Sequence, residues 1–302
     1  MISVVIPAYN EENGIKENVN EIIKYLPEDY EIILVDDGSK DSTWSRLSEL
    51  SEENSKIVSV RFSRNFGKEA ALMAGISNAS GDAVIIMDSD LQHPPEYIPE
   101  MIEKWQDGYR IVETIKKNRG KESIFYKASA GIFYGTLRKL SGLDMANSSD
   151  YKLLDRSVVE KIKDFREGQL FFRGLVQWVG YERCVIEIDV HERKNGESKF
   201  KLKSLMKLAL NAITSFSSSL LYLTAVIGTI FFICAVILGI QTIYNKVTGT
   251  SADGFTTVIL LQLIIGSLVM FCLAVIGIYV GKIYEEVKHR PQYIISDIRK
   301  KA

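Results

Sequence analysis

Residues 82–96 read DAVIIMDSDLQHPPE, and this stretch decides the fold class. A Val/Ile run too short for a helix is followed at once by acids and a proline-rich turn, as in a strand buried on both faces. The same form recurs toward the N-terminus in residues 2–9 (ISVVIPAY), 31–39 (EIILVDDGS) and 56–63 (KIVSVRFS). Between these runs, residues 11–26 put Ile15, Val19, Ile22, Ile23 and Leu26 on one helical face. A second helix is expected from Asp41 or Ser42, either a suitable N-cap, to about Glu53. A third occupies residues 68–80 (KEAALMAGISNAS) and stops near Gly81. Strands of nearly unbroken Val and Ile, alternating with helices, predict an α/β domain whose parallel sheet is covered on both faces. Ligands in such sheets bind beyond the carboxyl ends of the strands. Those ends read PAYNEE, DDGSKDST, SRNFG and DSDLQHPPE.

The strand ends carry acids where other α/β folds carry glycines. There is no GxGxxG after the first strand and no GxxxxGK[ST], which argues against a dinucleotide dehydrogenase and a P-loop NTPase. Asp36 and Asp37 end the second strand, and Asp88 and Asp90 follow the fourth. Side chains at i and i+2 of a strand share a side, so the DxD aims two carboxylates one way. Such a pair suits Mg²⁺ or Mn²⁺ held through one or two acids plus substrate phosphates. A solvated acidic loop is the plain alternative. For Asp36 and Asp37 the alternative is capping of the next helix, together with Ser39 and Ser42.

The remaining sequence bounds the class. Of 302 residues, 46% are hydrophobic and 25% charged, which excludes a disordered or low-complexity chain. Three cysteines without a CxxC pair exclude a disulfide scaffold and a zinc ribbon. The net charge of −1 divides into −9 over the first 192 residues and +8 from Arg193 onward. The acidic part argues against a nucleic-acid groove, and the basic part suits an anionic surface. Residues 220–244 and 255–281 contain no charged side chain, and each run exceeds the roughly 20 residues that span a bilayer. Buried core helices seldom run so long without a charge. The linker NKVTGTSADG, residues 245–254, is turn-rich and has Lys246 as its one basic residue, whereas both flanks are basic. Positive flanks stay cytoplasmic, so the expectation is a hairpin with its linker outside and residues 1 to about 190 in the cytosol, with no signal peptide. Residues 199–219 (KFKLKSLMKLALNAITSFSSS) read as a basic amphipathic helix, either in the lipid headgroup layer or packed on the domain.

VVIPAYNEE, DDGSKDST, SRNFGKEAAL and DSDLQHPPE, in this order, resemble a family 2 glycosyltransferase with the GT-A fold, over residues 1 to about 215. Two C-terminal spans and the DLQHPPE form narrow the resemblance to the polyisoprenyl-phosphate glycosyltransferases. It implies inverting transfer from a nucleotide-sugar, a UDP-sugar, to a polyprenyl phosphate such as undecaprenyl phosphate, with Mg²⁺ or Mn²⁺ as cofactor. It also implies a multi-pass membrane protein that forms a homo-oligomer, often a tetramer, with no nucleic-acid partner. The implied organisation is a cytosolic GT-A domain over 1–198, an interfacial helix over 199–219, two transmembrane helices over 220–281 and a cytosolic tail over 282–302.

The resemblance also assigns residues. Pro7, Ala8, Tyr9, Asn10 and Glu11 match the first nucleotide loop, and Asp37 matches the acid that meets base or ribose. Asp88 and Asp90 match the metal and diphosphate site, with Gln92 beside them. His93 stands in a turn where relatives carry other residues, so it is left out. Arg119, Lys127 and Ser129 match the acceptor-phosphate site, and Arg193 and Lys199 match a segment that closes over the diphosphate. Relatives often have Arg in place of Lys127, and the two cations are not interchangeable. Asp150 matches the catalytic-base position. The alternatives for Asp150 are positioning of acceptor or sugar, with the phosphate as its own nucleophile, or capping of a helix near Tyr151. Two rival functions remain. A processive polysaccharide synthase should show QxxRW and more spans, where this chain has only Gln177-Trp178. A catalytically inactive adaptor would not need Asp88, Asp90 and Asp150 intact.

Overall fold

A computed structural model of the chain describes residues 1–116, 149–165, 171–189, 219–248 and 254–301. Strands β1 (Ile2–Ala8), β2 (Tyr30–Asp36), β3 (Ile57–Phe62) and β4 (Ala83–Ile86) alternate with helices α1 (Ile15–Ile23), α2 (Thr43–Glu53) and α3 (Lys68–Asn78). After β4 come α4 (Ile98–Gln106), β5 (Ile111–Lys116), β6 (Lys152–Asp155), α5 (Arg156–Lys163), α6 (Phe172–Trp178) and β7 (Arg183–Ile188). One eight-stranded sheet runs β7-β5-β6-β4-β1-β2-β3-β8, where β8 is Ile295–Lys300. The centre β4-β1-β2-β3 is parallel, while β6 and β8 are antiparallel to β4 and β3.

The all-buried β1 run follows from two covered faces, since alternate side chains enter opposite layers. Val4, Ile6, Ile32, Leu34 and Ile85 pack with Ile15, Val19 and Leu47 of α1 and α2. Val5, Ile33, Val35, Val84 and Ile86 pack with α3, whose residues Ala70–Ile76 are all buried. Close approach of α3 requires Gly75, because a Cβ there would run into Val5 Cγ1. With α3 this tight on the sheet, its first turn lies against the strand ends.

Two boundaries differ from the sequence reading, each for a local reason. Helix α1 begins at Ile15 rather than 11. The amides ahead of it are taken by oxygens of the second loop: Asn10 N–H donates to Ser39 Oγ (2.9 Å) and Glu11 N–H to Thr43 Oγ1 (2.8 Å). No helix follows Asp150; Lys152–Asp155 is a strand, which removes helix capping as its role. The expected tail also contributes to the fold, since its residues 295–300 form the sheet edge.

Residues 219–248 and 254–289 belong to a second compact unit, with helices α7 (Ser219–Val247) and α8 (Phe255–Val287). Segments Thr224–Asn245 and Ile264–Val287 have mean hydropathy 2.4 and are long and apolar enough to cross a membrane. They expose Phe232, Ile240, Met270 and Val280 among other large apolar side chains, a surface that water does not favour. The interfacial helix expected over 199–219 lies outside the described residues except at Ser219, where α7 begins.

Candidate active site

The strand ends meet in a cleft of about 310 Å³ lined by Pro7, Ala8, Tyr9 and Glu11 from the first loop, Asp37 from the second, and Asp88, Ser89 and Asp90 from the fourth. Asn65, Gly67 and Lys68 from the third loop complete it. Several hydrogen bonds fix the loops around this space. Asn10, with φ 56°, accepts from Lys40 N–H at 3.0 Å, tying the first loop to the second. Asn18 Nδ2 donates to Ser89 O at 2.7 Å, so α1 steadies the DxD loop. Gly38, at φ 67°, passes so close to Arg64 that a Cβ would collide with its backbone. A non-glycine residue is costly at such a left-handed, crowded position.

Asp37 is gripped by amides. Phe66 N–H donates to Oδ1 at 2.7 Å and Gly67 N–H to Oδ2 at 2.9 Å. Burial nonetheless raises its proton affinity above the ordinary carboxylate value. Asp36 is turned inward, ion-paired with Arg61 Nε at 3.3 Å and accepting Ser39 N–H at 2.9 Å. It belongs to the framework rather than to the cleft. Glu11 is also raised, first by burial and then by Asp90, Asp41 and Asp88. Four carboxylates thus crowd one cleft, a demand for positive charge.

Among the described residues, Lys68 is the cation lining the cleft. It opens α3, pairs with Asp88 Oδ1 and donates to Asp150 Oδ2 at 2.7 Å. Arg173 of α6 holds the same Asp150 through Nε–Oδ1 at 2.6 Å and Nη2–Oδ2 at 2.9 Å. Burial alone would raise Asp150, but Arg173 and Lys68 overcome it and hold the carboxyl well below its usual range. Behind them Glu69 accepts Phe172 N–H at 2.8 Å, and burial pushes its carboxyl up to about 7. The Asp150 segment is tied to the DxD loop by Ser149 Oγ and His93 Nε2, 2.9 Å apart. His93 therefore fastens two loops together.

Of the residues singled out in the sequence, Pro7, Ala8, Tyr9, Glu11, Asp37, Asp88 and Asp90 come together in this cleft. Asn10 and Gln92 stand beside the cleft; Gln92 N–H donates to Asp90 Oδ1 at 3.1 Å. Arg119, Lys127, Ser129, Arg193 and Lys199 lie outside the described residues. The reading gave no role to Lys68, Glu69, Asn65 or Gly67, although all four fall on SRNFGKEAAL, the third strand end. It also gave no role to Arg173, whose partnership with Asp150 forms only once α6 folds back beside the Asp150 segment. Among the described residues, no group of three His, Cys, Asp or Glu is set to hold a metal. Asp88 and Asp90 fit a divalent ion that takes its remaining ligands from a diphosphate and water.

A mixed sheet with an acid-lined cleft at its parallel strand ends is the GT-A arrangement, and the class is that of glycosyltransferases. The chain belongs to one family within it, glycosyl transferase family 2, whose model matches residues 3–163. It is 39% identical over 305 residues to the bactoprenol glucosyl transferase of Shigella phage SfV, covering 99% of each chain. It is 38% identical over 304 residues to the prophage bactoprenol glucosyl transferase homolog of Escherichia coli K12, again covering 99% of each. A solved mycobacterial protein shares the fold, with a TM-score of 0.50 and 23% identity over 71% of this chain and 72% of that one.

Proposed function

We propose that the protein transfers a sugar from a nucleotide-sugar, a UDP-sugar, to a polyprenyl phosphate such as undecaprenyl phosphate. The product is a polyprenyl-phosphate-linked monosaccharide for cell-envelope glycosylation. The observation that carries this reading is the convergence of Glu11, Asp37, Asp88 and Asp90 on one cleft, with the Lys68–Asp150–Arg173 cluster at its side. The relatives' name, bactoprenol glucosyl transferase, supports the acceptor class.

Tyr9 and Asp37 would meet base and ribose, and Asp88 and Asp90 would hold Mg²⁺ or Mn²⁺. When bound, that ion neutralises charge on the departing diphosphate. An acceptor phosphate oxygen attacks the anomeric carbon, the bond from that carbon to the diphosphate oxygen breaks, and the nucleoside diphosphate leaves with inversion. A phosphate monoester has a second pKa of about 6, so near neutral pH the acceptor is mostly a dianion with no proton to lose. Asp150, clamped by two cations, accordingly orients Lys68 and Arg173 instead of taking a proton. On the resemblance, Arg119, Lys127 and Ser129 bind the acceptor phosphate, and Arg193 and Lys199 close over the diphosphate.

The membrane assignment is part of the proposal. The described residues up to 189 and from 290 onward belong to one compact unit, so the chain leaves that unit for the hairpin and returns to it. This favours two crossings with both flanks on one side, and the basic flanks make that side the cytosol. A cysteine placed at Thr250 should then react with an impermeant thiol reagent on intact cells, while Cys184 should not; the reverse pattern inverts the topology. A homotetramer completes the proposal. The deciding assay incubates purified protein with labelled UDP-sugars and undecaprenyl phosphate. Lipid-extractable monosaccharide is the expected product; polymer would indicate a synthase, and no transfer from any donor an inactive adaptor.

A further inference from the structure

The C-terminal strand reaches the back of the donor cleft. Strand β8 pairs with β3 in the register Val58↔Lys300, Val60↔Ile298 and Phe62↔Ile295, with a shift at Arg61/Phe62. Just before it, Tyr293 stacks on Phe62 with centroids 5.1 Å apart and planes at 13°. Phe62 meets Phe66 edge-on at 5.7 Å. The next residue of the third loop is tied down as well, since Ser63 N–H donates to Ile294 O at 3.0 Å. Phe66 and Gly67 are the residues whose amides grip Asp37. A line of direct contacts therefore runs from Tyr293 through Phe62 and Phe66 to the Asp37 carboxylate. An edge strand that merely covered the sheet would need only the ladder. Here the segment just ahead of the ladder also buttresses a binding loop, and only residues 288–294 separate α8 from β8.

We infer that Tyr293, with the start of β8, is a positioning residue for the donor nucleotide: it sets the 63–67 loop so that Asp37 is presented to the cleft. The inference rests on the reading of Asp37 as a nucleotide contact. The test uses the full-length protein in detergent, with UDP binding followed by calorimetry. Tyr293→Leu keeps apolar bulk but removes the stacked ring, and Tyr293→Phe restores the ring without the hydroxyl. Tyr293→Leu should weaken UDP binding and raise the donor KM by about three- to ten-fold. Its kcat at saturating donor and its acceptor KM should stay near those of the parent, and Tyr293→Phe should match the parent. Asp37→Asn should weaken UDP binding at least as much. If Asp37→Asn loses UDP affinity and Tyr293→Leu does not, the inference is wrong while the site reading stands. If the parent does not bind UDP, or Asp37→Asn binds it normally, the site reading falls and takes the inference with it. A Tyr293→Leu variant that loses kcat and both KM values together would make the ring a general structural prop and overturn its specific role.

Discussion

The two sides of the cleft treat buried carboxylates in opposite ways. On the donor side, Asp37 is held by the neutral amides of Phe66 and Gly67, and burial still raises its proton affinity. Glu11 moves the same way, through burial and then its acidic neighbours. On the other side Asp150 is likewise buried, yet Arg173 and Lys68 carry it far below the ordinary range. Glu69 adjoins Lys68 in the chain, but burial, opposed chiefly by one backbone amide, leaves it at about 7. Depth alone does not decide the state of these groups; the formal charge of the partner does. The donor side is thus an acid-rich space with a standing demand for cations, whereas the Asp150 side is already neutralised.

The largest effect should come from deepening or removing that demand. Asp90→Ala deletes one of two oxygens proposed for the metal, and kcat should fall by about 10²–10⁴-fold, the scale of several kcal/mol of charge stabilisation. Chelation by EDTA should silence the parent and added Mg²⁺ or Mn²⁺ restore it. Full activity in EDTA would mean that the acids serve some purpose other than holding an ion.

Next in size is the clamped carboxylate. Asp150→Asn keeps the shape and removes the charge that holds Arg173 and Lys68, so kcat should drop about 10²-fold, as when one member of a buried charge pair is lost. The loss should be flat between pH 6 and 8, since Asp150 is ionised throughout. A rate limb near neutrality in the parent that vanishes in Asp150→Asn would restore general-base catalysis. Near-normal kcat across that range would leave the residue a framework group.

Glu69 supplies the contrast in stability rather than rate. Its folded value, about 7, lies above the ordinary glutamate value of 4.5, so the folded protein holds a proton that the unfolded chain releases. That contribution is complete below about pH 4.5 and is lost as pH rises through about 7, amounting to roughly 3 kcal/mol. Glu69→Gln, which cannot ionise, should therefore show a flatter melting temperature than the parent between pH 5 and 8. Parallel pH profiles for the two proteins would place the Glu69 carboxyl in a better-solvated setting.

Much of this was legible in the sequence. Unbroken Val/Ile runs announced the two-faced sheet, and turn-rich strand ends announced the cleft, because both signals are local. The DxD and the first-loop residues are local too. Lys68 and Glu69 were present in a quoted motif but carry no signal by themselves: a Lys-Glu pair opening a helix reads as solvated. Their meaning depends on Asp150, 82 residues from Lys68 in sequence, and on Arg173 of another helix. Strand β8 was hidden for a similar reason. IISDIRK is short, charged and half-exposed, and its partner β3 lies more than 200 residues earlier. Long-range pairing of that kind leaves no local pattern.

The smallest effect belongs to the neutral stitching of the donor side. Asn10 holds a left-handed backbone, φ 56°, and its side-chain oxygen accepts from Lys40 N–H. Asn10→Gly keeps the backbone freedom and loses only the acceptor, a net cost of about 0.5–1 kcal/mol at this exposed site. Asn10→Ala also forces a Cβ into the left-handed region, adding about 1 kcal/mol. The ordering parent, Gly, Ala should appear in melting temperature and, more weakly, in donor KM, because the stitch aligns the first loop with the second. Neither variant should change its ranking between pH 5 and 8, for no charge is involved. If Ala and Gly prove equal, the strained backbone is not what Asn10 supplies. If their gap from the parent depends on pH, the donor side is not held by neutral bonds, and its contrast with the Asp150 cluster is lost.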